Sequence, residues 1–453
     1  MQDIRVALWG FGAMGSGIGR MIASKEGIVI AGVCDTWDRL IGQEVYSYLG
    51  LDRGDREPVI ITGDITQVVA PGLCDIVILA TDSFVAAQYD KLIYCLEQGV
   101  HVISTAEEMA WPWAGSPKMA EEIDRLARER RVAVLGTGIN PGFVLDYLIL
   151  AVSGTCEKVE SIEAARINDL APFGKAVMEE QGVGISVDEF ERRIAEDSLA
   201  GHVGFPESME MIAAGMGVKL ASIEQTRDPI VTNVDRKSAY GEAKKGHLAG
   251  IRQQSYGRTA DGKLFIRLDH PQQICPEDEG VDTGDYITIH SDGYDMNLSI
   301  VPETPGGIGT IAMVVNMIPQ VLLAEPGLRS MLDLPVPRAI LGSFSEQLTR
   351  GRKKHFKKGE YAVIESVILL AGSRAPRLPQ DTASVPLIAL TRGWLEEDAS
   401  AGTEVQVTTM SGRTVRGTLT DRPLAPVHGY GDFIPELQEI HCQVRDLLFG
   451  GEK

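Results

Sequence analysis

The sequence predicts an α/β fold: a doubly wound parallel sheet, then an α+β second domain, then a small β-rich C-terminal module. Three observations carry this. The run Val6-Ala-Leu-Trp-Gly10-Phe-Gly12-Ala-Met-Gly15 is an apolar strand turned into a helix by G-x-G-x-x-G, the loop of a Rossmann sheet. Up to about residue 150, apolar β-type runs alternate with helical stretches, as parallel strands joined by crossover helices require. Beyond that point the alternation stops, and strands and helices segregate.

Each glycine of the loop has a separate task. Gly10 permits the tight turn, Gly12 lets a pyrophosphate approach the backbone, and Gly15 lets helix pack on strand. Phe11, Ala13 and Met14 lie between them, and the helix start offers unpaired N–H groups and a positive dipole end to an anion. Val29-Ile-Ala-Gly-Val-Cys-Asp35 is the second strand, and it ends in an acid twenty residues after Gly15. A carboxylate placed there accepts hydrogen bonds from the ribose hydroxyls of NAD and repels a 2′-phosphate. Arg39 lies close by in sequence and would accommodate such a phosphate, which keeps NADP as an alternative. Further strands are Val59-Ile-Ile-Thr62, Ile76-Val-Ile-Leu-Ala80, Val100-His-Val-Ile-Ser104 and Val132-Ala-Val-Leu135, with helical periodicity over 85–98 and 116–130.

Residues 1–150 are thus expected to form the dinucleotide-binding domain. Over 151–345 the pattern reads as an α+β domain for substrate and oligomerisation. Strands at Val159-Glu-Ser-Ile-Glu-Ala-Ala-Arg166, Lys263-Leu-Phe-Ile-Arg-Leu268 and Tyr286-Ile-Thr-Ile-His290 accompany helices over 187–199 and 207–216. Pro305-Gly-Gly-Ile-Gly309 opens an apolar helix running to about 324 that packs back on the first domain. The basic run over 350–358 in an acidic chain reads as solvated, and 346–358 as a linker. Residues 359–453 form the β-rich module, with strands at Tyr361-Ala-Val-Ile-Glu-Ser-Val-Ile-Leu-Leu370 and Glu404-Val-Gln-Val-Thr-Thr409. Gly412-Arg-Thr-Val-Arg-Gly417 is the turn and second strand of a hairpin, and the one long helix comes at the very end.

Composition narrows the partners. A formal net charge of −20 over 453 residues repels nucleic acid and anionic membrane alike. Nothing ahead of the first strand reads as a secretory leader, and no apolar run reaches spanning length, so a cytoplasmic chain is expected. The six cysteines are scattered without a C-x-x-C pair, which reads as free thiols rather than a disulfide or zinc framework. No metal site is expected, since the eight histidines lack ligand spacing.

Ligands bind doubly wound sheets at the carboxyl ends of the strands. The polar groups there are Thr81-Asp-Ser83, Ser104-Thr-Ala-Glu-Glu108 and Gly136-Thr-Gly-Ile-Asn-Pro-Gly142. Thr81, Ser104, Thr105 and Asn140 are expected over the nicotinamide end, with Asn140 and Gly142 also facing substrate. Glu107 and Glu108 follow a strand at the same edge, where either serves as the base or as the partner of the substrate's ammonium, or else starts a helix. His202, between glycines, is a candidate proton relay near neutral pH. Asp169 is a further candidate acid, and Arg166 and Lys175 flank its loop as candidates to hold a carboxylate. His270 reads as structural.

Residues 1 to about 345 resemble the 2,4-diaminopentanoate dehydrogenases, the amine dehydrogenases of oxidative ornithine fermentation. The resemblance rests on Trp9-Gly-Phe-Gly-Ala-Met-Gly-Ser-Gly17, Ser104-Thr-Ala-Glu-Glu-Met-Ala110 and Gly136-Thr-Gly-Ile-Asn-Pro-Gly-Phe-Val-Leu-Asp146. It continues through Asn168-Asp-Leu-Ala-Pro-Phe-Gly174, Gly201-His-Val-Gly-Phe-Pro-Glu-Ser208, His270-Pro-Gln-Gln273, Pro305-Gly-Gly-Ile-Gly-Thr-Ile-Ala-Met313 and Met331-Leu-Asp-Leu-Pro-Val-Pro-Arg-Ala-Ile-Leu-Gly342. More distantly, the layout resembles dihydrodipicolinate reductase, without the His-His-x-x-Lys run of that enzyme. The tail resembles the alpha subunit of 2-amino-4-oxopentanoate thiolase, through Arg374-Ala-Pro-Arg-Leu-Pro-Gln-Asp-Thr382, Gly393-Trp-Leu-Glu-Glu-Asp398 and Phe433-Ile-Pro-Glu-Leu437. The stretch ahead of a histidine in that family is altered here to Asp421-Arg-Pro-Leu-Ala-Pro-Val-His428.

The first resemblance implies an NAD(P)-dependent oxidation of 2,4-diaminopentanoate at C4 to an imine, hydrolysed to 2-amino-4-oxopentanoate and ammonia, and a homo-oligomer. The second implies a thiolase beta subunit as partner, with pyridoxal phosphate on that partner and not on this chain. Two other readings fit the residues: a reductase of the dihydrodipicolinate or amino-acid semialdehyde type, and a non-catalytic NAD-sensing scaffold that recruits a thiolase subunit.

Overall fold

The computed structural model describes residues 3–447 apart from 197, 200, 352–354, 374–381, 383–384, 423–439, 441–442 and 445–446. The chain divides into two units, Met1–Glu346 and Gln347–Lys453. In the first, the opening apolar run folds as β1 (Ile4–Trp9), and α1 (Ala13–Ala23) leaves the glycine loop directly. The alternation continues through β2 (Ile28–Cys34), α2 (Val45–Leu49), β3 (Ile61–Thr62), β4 (Ile76–Leu79) and α3 (Val85–Glu97). It closes with β5 (His101–Ser104), α4 (Pro117–Arg130) and β6 (Ala133–Gly136). Every residue of β4 and β6 is buried, because helices cover both faces of a parallel sheet. The sheet order runs β3-β2-β1-β4-β5-β6. The order reverses between β1 and β4, and the crevice outside their carboxyl ends is where such sheets bind ligands.

The second layer begins with α5 (Tyr147–Ser153), β7 (Val159–Asp169), α6 (Lys175–Glu180), α7 (Val187–Ala195) and α8 (Phe205–Met216). β8 (Ser222–Val231), the short pair β9 (Arg236–Lys237) and β10 (Glu242–Ala243), β11 (Leu248–Arg258) and β12 (Leu264–Gln273) follow. β13 (Gly284–Ser291) and β14 (Tyr294–Ile300) complete a six-stranded sheet of order β14-β13-β7-β12-β11-β8. Only β7 and β12 run parallel in it. Ile162, Ala164, Ile266 and Leu268 from this sheet pack with Phe205, Met209 and Ile212 of α8.

The chain then returns to the first layer. α9 (Gly306–Leu323) lies against α1, so closely that a Cβ on Gly17 would sit 2.3 Å from Ile311 Cδ1. β15 (Gly327–Arg329) pairs parallel with β6 as a seventh strand. Three residues with one apolar side chain carry no periodicity, so nothing in the sequence marked this strand. Among the described residues, α9 is the one helix long and apolar enough to cross a membrane, against the expectation that no run reaches that length; half of it is buried in the unit.

The stretch 346–358, read as a solvated linker, begins at the boundary of the two units and carries exposed Lys357 and Lys358, but it is not without secondary structure. α10 (Phe344–Gly351) runs through its start, and β16 (His355–Phe356) occupies its later part. Phe344 and Phe356 are both buried; two apolar anchors decide the local structure where the count of cations did not. In the second unit, β17 (Tyr361–Leu369), β18 (Leu387–Leu395), β20 (Glu404–Thr408) and β21 (Thr414–Thr420) close a barrel, and β19 (Ala399–Ser400) pairs with β16. Its core is Phe356, Ala362, Ile364, Leu395, Ala401, Val405, Val407 and Leu419. The helix expected at the end of the chain, and most of the tail's family motifs, lie largely outside the described residues. Cys34, Cys74, Cys95, Cys156 and Cys275 are free thiols; Cys442 is also outside the described residues.

Candidate active site

The glycine loop has the geometry its sequence implies. Gly10 has φ +93°, and a Cβ on it would lie 2.5 Å from the Ala80 carbonyl oxygen, so turn and contact both demand glycine. A Cβ on Gly15 would lie 1.9 Å from the Gly10 carbonyl oxygen, whereas one on Gly12 would meet nothing within 4 Å. No packing requires glycine at position 12, and the open space there is what a pyrophosphate needs. The start of α1 has no side-chain cap, so its N–H groups are left for an anion.

Asp35 grips this loop from the end of β2. Its Oδ2 accepts from the Phe11 N–H at 2.5 Å and its Oδ1 from the Trp37 N–H at 2.8 Å. A carboxylate has further lone pairs for ribose hydroxyls. The Arg39 guanidinium carbon lies over the Trp37 ring, 3.1 Å from its centre, at the rim of the same site. The residues present therefore fit a dinucleotide. Gly12→Ala keeps an ordinary φ of −68° and is expected to melt like the wild type without ligand, yet bind NAD at least about tenfold more weakly. Gly15→Ala is expected to lose about 1–3 kcal/mol of stability outright. Melting curves with and without NAD check both; identical NAD-induced shifts in Gly12→Ala and wild type would refute the role of the open space.

At the carboxyl ends of the strands lies a cleft of about 370 Å³. Met14, Ala80, Thr81, Thr105 and Thr310 line its cofactor side, and Asn140, Arg166, Asn168, His202, His270 and Gln272 its far side. Alternation builds that far side. Asn168 on β7 is in register with Gln272 on β12, and side chains two apart share a face. Ile162 and Ala164, then Arg166 and Asn168, follow one face of β7. Ile266 and Leu268, then His270 and Gln272, follow the same face of β12. The face is apolar beneath α8 and turns polar where the strands reach the cleft.

Arg166 is buried, donating from Nη1 to Asp285 Oδ1 and from Nη2 to the Thr304 carbonyl, both at 2.5 Å. Asp285 Oδ2 accepts from the Thr304 N–H at 2.8 Å, so the pair ties β7 and β13 to the approach to α9. Asn140 Nδ2 stands 3.2 Å from His202 Nε2, and Asn140 Oδ1 is buried without a partner. Gln253 clamps His202 through its backbone, accepting from its N–H at 2.8 Å and donating to its carbonyl at 3.0 Å. The His202 and His270 rings stand nearly perpendicular, 4.7 Å apart.

Burial pushes the His202 ring down to about 3 and His270 well below the usual imidazole range, with the Arg166 charge adding to both. The shift favours the neutral ring, so half-buried His202 faces the cleft as a hydrogen-bonding group rather than as an imidazolium. Glu107 does face the cleft. Burial, with the Glu180 and Glu108 carboxylates beside it, raises its pKa.

Several expected residues are committed elsewhere. Glu108 Oε2 accepts from the Val85 N–H at 2.8 Å and so caps the start of α3. Ser104 is buried, donating to Gln88 Oε1 at 2.6 Å and accepting from the Ala106 N–H at 3.0 Å. Gly142, with φ +120°, donates its N–H to buried Asp146 at 2.7 Å and shapes the loop rather than lining the cleft. Asp169 Oδ1 accepts from the Ala171 and Cys275 N–H groups at 2.8 and 2.9 Å. Lys175 projects into solvent beside Glu179; a charged residue at the start of a surface helix has no reason to turn inward. Asn168, Gln272 and Thr310 belong to the cleft and were not singled out, and His270 is part of its wall rather than merely structural.

A glycine loop of this geometry at the switch point of a doubly wound sheet, opening on a polar cleft, defines an oxidoreductase of the nicotinamide-dinucleotide class. The family described as the 2,4-diaminopentanoate dehydrogenase C-terminal domain matches residues 143–350, and that described as AKP thiolase subunit OrtA matches 355–448. A 2,4-diaminopentanoate dehydrogenase of Acetoanaerobium sticklandii is 51% identical over 354 residues, 78% of this chain and 99% of that one. The chain belongs to the 2,4-diaminopentanoate dehydrogenase family. A 2-amino-4-ketopentanoate thiolase alpha subunit of the same organism is 42% identical over 96 residues, 21% of this chain and 95% of its own. The solved structure of an amine dehydrogenase from Mycobacterium smegmatis is similar with a TM-score of 0.66 and 25% identity, over 75% of this chain and 98% of that one.

Proposed function

We propose that the first unit oxidises 2,4-diaminopentanoate at C4 with NAD, giving 2-amino-4-oxopentanoate and ammonia. In this reading the second unit serves the CoA-dependent thiolysis of that product. The observation that carries the first part is one cleft holding both Glu107, a carboxyl raised by burial, and Arg166, a buried cation. Gly10 to Gly15 and Asp35 would hold the dinucleotide, with Thr81 and Thr105 at its nicotinamide end; Arg39 supports NADP as a second cofactor. When bound, the nicotinamide takes the hydride from C4.

The chain's own residues supply the rest. Glu107 removes a proton from the 4-ammonium, so that the amine is neutral when C4 is oxidised. The unpartnered Asn140 Oδ1 accepts from the same nitrogen. Once Glu107 has passed its proton to solvent, it takes another from the water that adds to the imine, and returns it to the departing nitrogen. One ammonium ion and one proton leave for each turnover. The unpartnered Gln272 Nε2, Arg166 and the N–H groups of Gly306 and Gly307 at the start of α9 face the substrate carboxylate. For the second unit, similarity to a thiolase alpha subunit supports a separate beta subunit as partner, carrying pyridoxal phosphate.

Reduction of NAD should follow addition of 2,4-diaminopentanoate, at a rate at least about a hundredfold above meso-diaminopimelate or homoserine. Turnover confined to either of those two would replace this reading with a reductase of that type.

A further inference from the structure

We propose that His270 reads the 2-ammonium of the substrate through the lone pair on its Nδ1, and so makes the cleft selective for a 2-amino acid. This rests on the assignment of 2,4-diaminopentanoate to the cleft. His270 Nε2 lies 3.0 Å from Asn168 Oδ1. An amide oxygen only accepts, so the ring proton sits on Nε2 and Nδ1 is left as an acceptor. That Nδ1 is buried with no partner, in a residue 3% exposed that lines the cleft. Buried polar atoms in folded proteins are paired, and an exception calls for a missing donor.

Among the described residues no hydrogen bond reaches this Nδ1, and Gln272 Nε2, the unpartnered donor on the same face, is the one assigned to the carboxylate. His202 Nε2 is turned to Asn140, and the Arg166 guanidinium is engaged by Asp285 and Thr304. Burial and the nearby Arg166 keep the ring unprotonated, so the lone pair persists at working pH. A carboxylate offers only lone pairs and would be repelled from this nitrogen; an ammonium offers three N–H groups.

The position selects which ammonium. Ammonium and carboxylate sit on the same carbon of a 2-amino acid, so the acceptor for the former must lie beside the donors for the latter. His270 is two residues from Gln272 on one face of β12, next to Arg166 and Asn168 on β7. Glu107, which serves the 4-amine, lies elsewhere, at the Asn140-Pro141 corner. There a Cβ on Gly204 would come within 2.5 Å of Pro141 Cγ and 3.5 Å of Glu107 Cβ.

Calorimetry on the full chain with NAD bound tests this, using 2-aminopentanoate and pentanoate. Both carry the carboxylate and neither carries the 4-amine, so their affinity ratio isolates the 2-ammonium. In the wild type 2-aminopentanoate should bind about 10–100-fold more tightly. In His270→Phe, which keeps a ring and removes the lone pair, the ratio should fall to within about threefold of unity. Nitrogen-15 spectra of histidine-labelled wild type need no variant: the His270 Nδ1 resonance should move with 2-aminopentanoate and stay with pentanoate. A ratio near unity in the wild type, a ratio unchanged in His270→Phe, or an Nδ1 signal that follows both ligands alike overturns the proposal. A chain that fails to oxidise 2,4-diaminopentanoate overturns the assigned reaction instead, and the binding ratio still decides the subsite.

Discussion

Glu107→Gln is expected to lower kcat by about a hundredfold to ten-thousandfold, the range spanned by loss of a general base, while NAD binds as before. The amide keeps the size and much of the hydrogen bonding of the acid but cannot take the proton from the 4-ammonium. A second effect follows from the same burial. The folded state raises the pKa of Glu107, so what the group contributes to stability is complete below its unfolded pKa and is lost as pH rises through the folded value. Glutamine has no charge to bury. The variant should therefore match the wild type in melting temperature at low pH and exceed it near neutrality. The acid limb of kcat/KM in the wild type should lie above the ordinary carboxylate range. A variant that retains a tenth or more of wild-type turnover would remove Glu107 from the role of base, and Glu108, tied to the Val85 N–H, is not placed to replace it.

Arg166→Met is expected to cost about 3–5 kcal/mol of stability, as removal of one partner from a buried ion pair does. It should lower the melting temperature on the order of 10 °C. Both side chains of the Arg166–Asp285 pair are 3% exposed or less, so Asp285 would keep only the Thr304 N–H to offset its buried charge. The double variant Arg166→Met with Asp285→Leu should recover much of the loss, since no charge is then left uncompensated. It should not recover substrate binding, because the cation facing the carboxylate is still absent. Thermal melts and KM for the amine, measured on both variants, separate the two roles. Equal melting of single variant and wild type would show that the pair does not hold β7 and β13 to the approach to α9.

How much of this could be read in the chain depended on how local the signal was. The glycine loop, Asp35 and the strand–helix alternation to β6 follow from runs of a few residues, and they folded as read. The far wall of the cleft did not announce itself. Arg166 and Asn168 meet His270 and Gln272 only because β7 and β12 pair in one register across about a hundred residues, which no window of sequence displays. A trace was present: in both strands two apolar residues at alternate positions give way to two polar ones, Ile162 and Ala164 before Arg166 and Asn168, Ile266 and Leu268 before His270 and Gln272. Polar residues at strand ends drew attention whether or not they were free. Ser104 of β5 and Gln88 of α3 satisfy each other between sheet and helix, and Asp169 closes its own turn. Lys175 misled through its charge alone, and the cations of the 346–358 stretch hid buried Phe356 and the short strand that holds it. Tail motifs such as Phe433-Ile-Pro-Glu-Leu437 remain legible only as sequence.

The return of the chain through α9 and β15 bears on how such an enzyme is assembled from parts. The sheet that holds the glycine loop takes its seventh strand from residues 327–329, and the helix carrying the loop is covered by residues that enter the cleft at Gly306 and Gly307. The dinucleotide-binding half is therefore no transferable cassette. Excised at residue 150, it would expose an edge of β6 and an apolar flank of α1, the kind of surface that recruits other chains. The seam at 346/347 is of another kind, since each side has its own hydrophobic core. Recombination can join or part a thiolase-like module past the end of α10, whereas the two layers before it share one sheet and are inherited together.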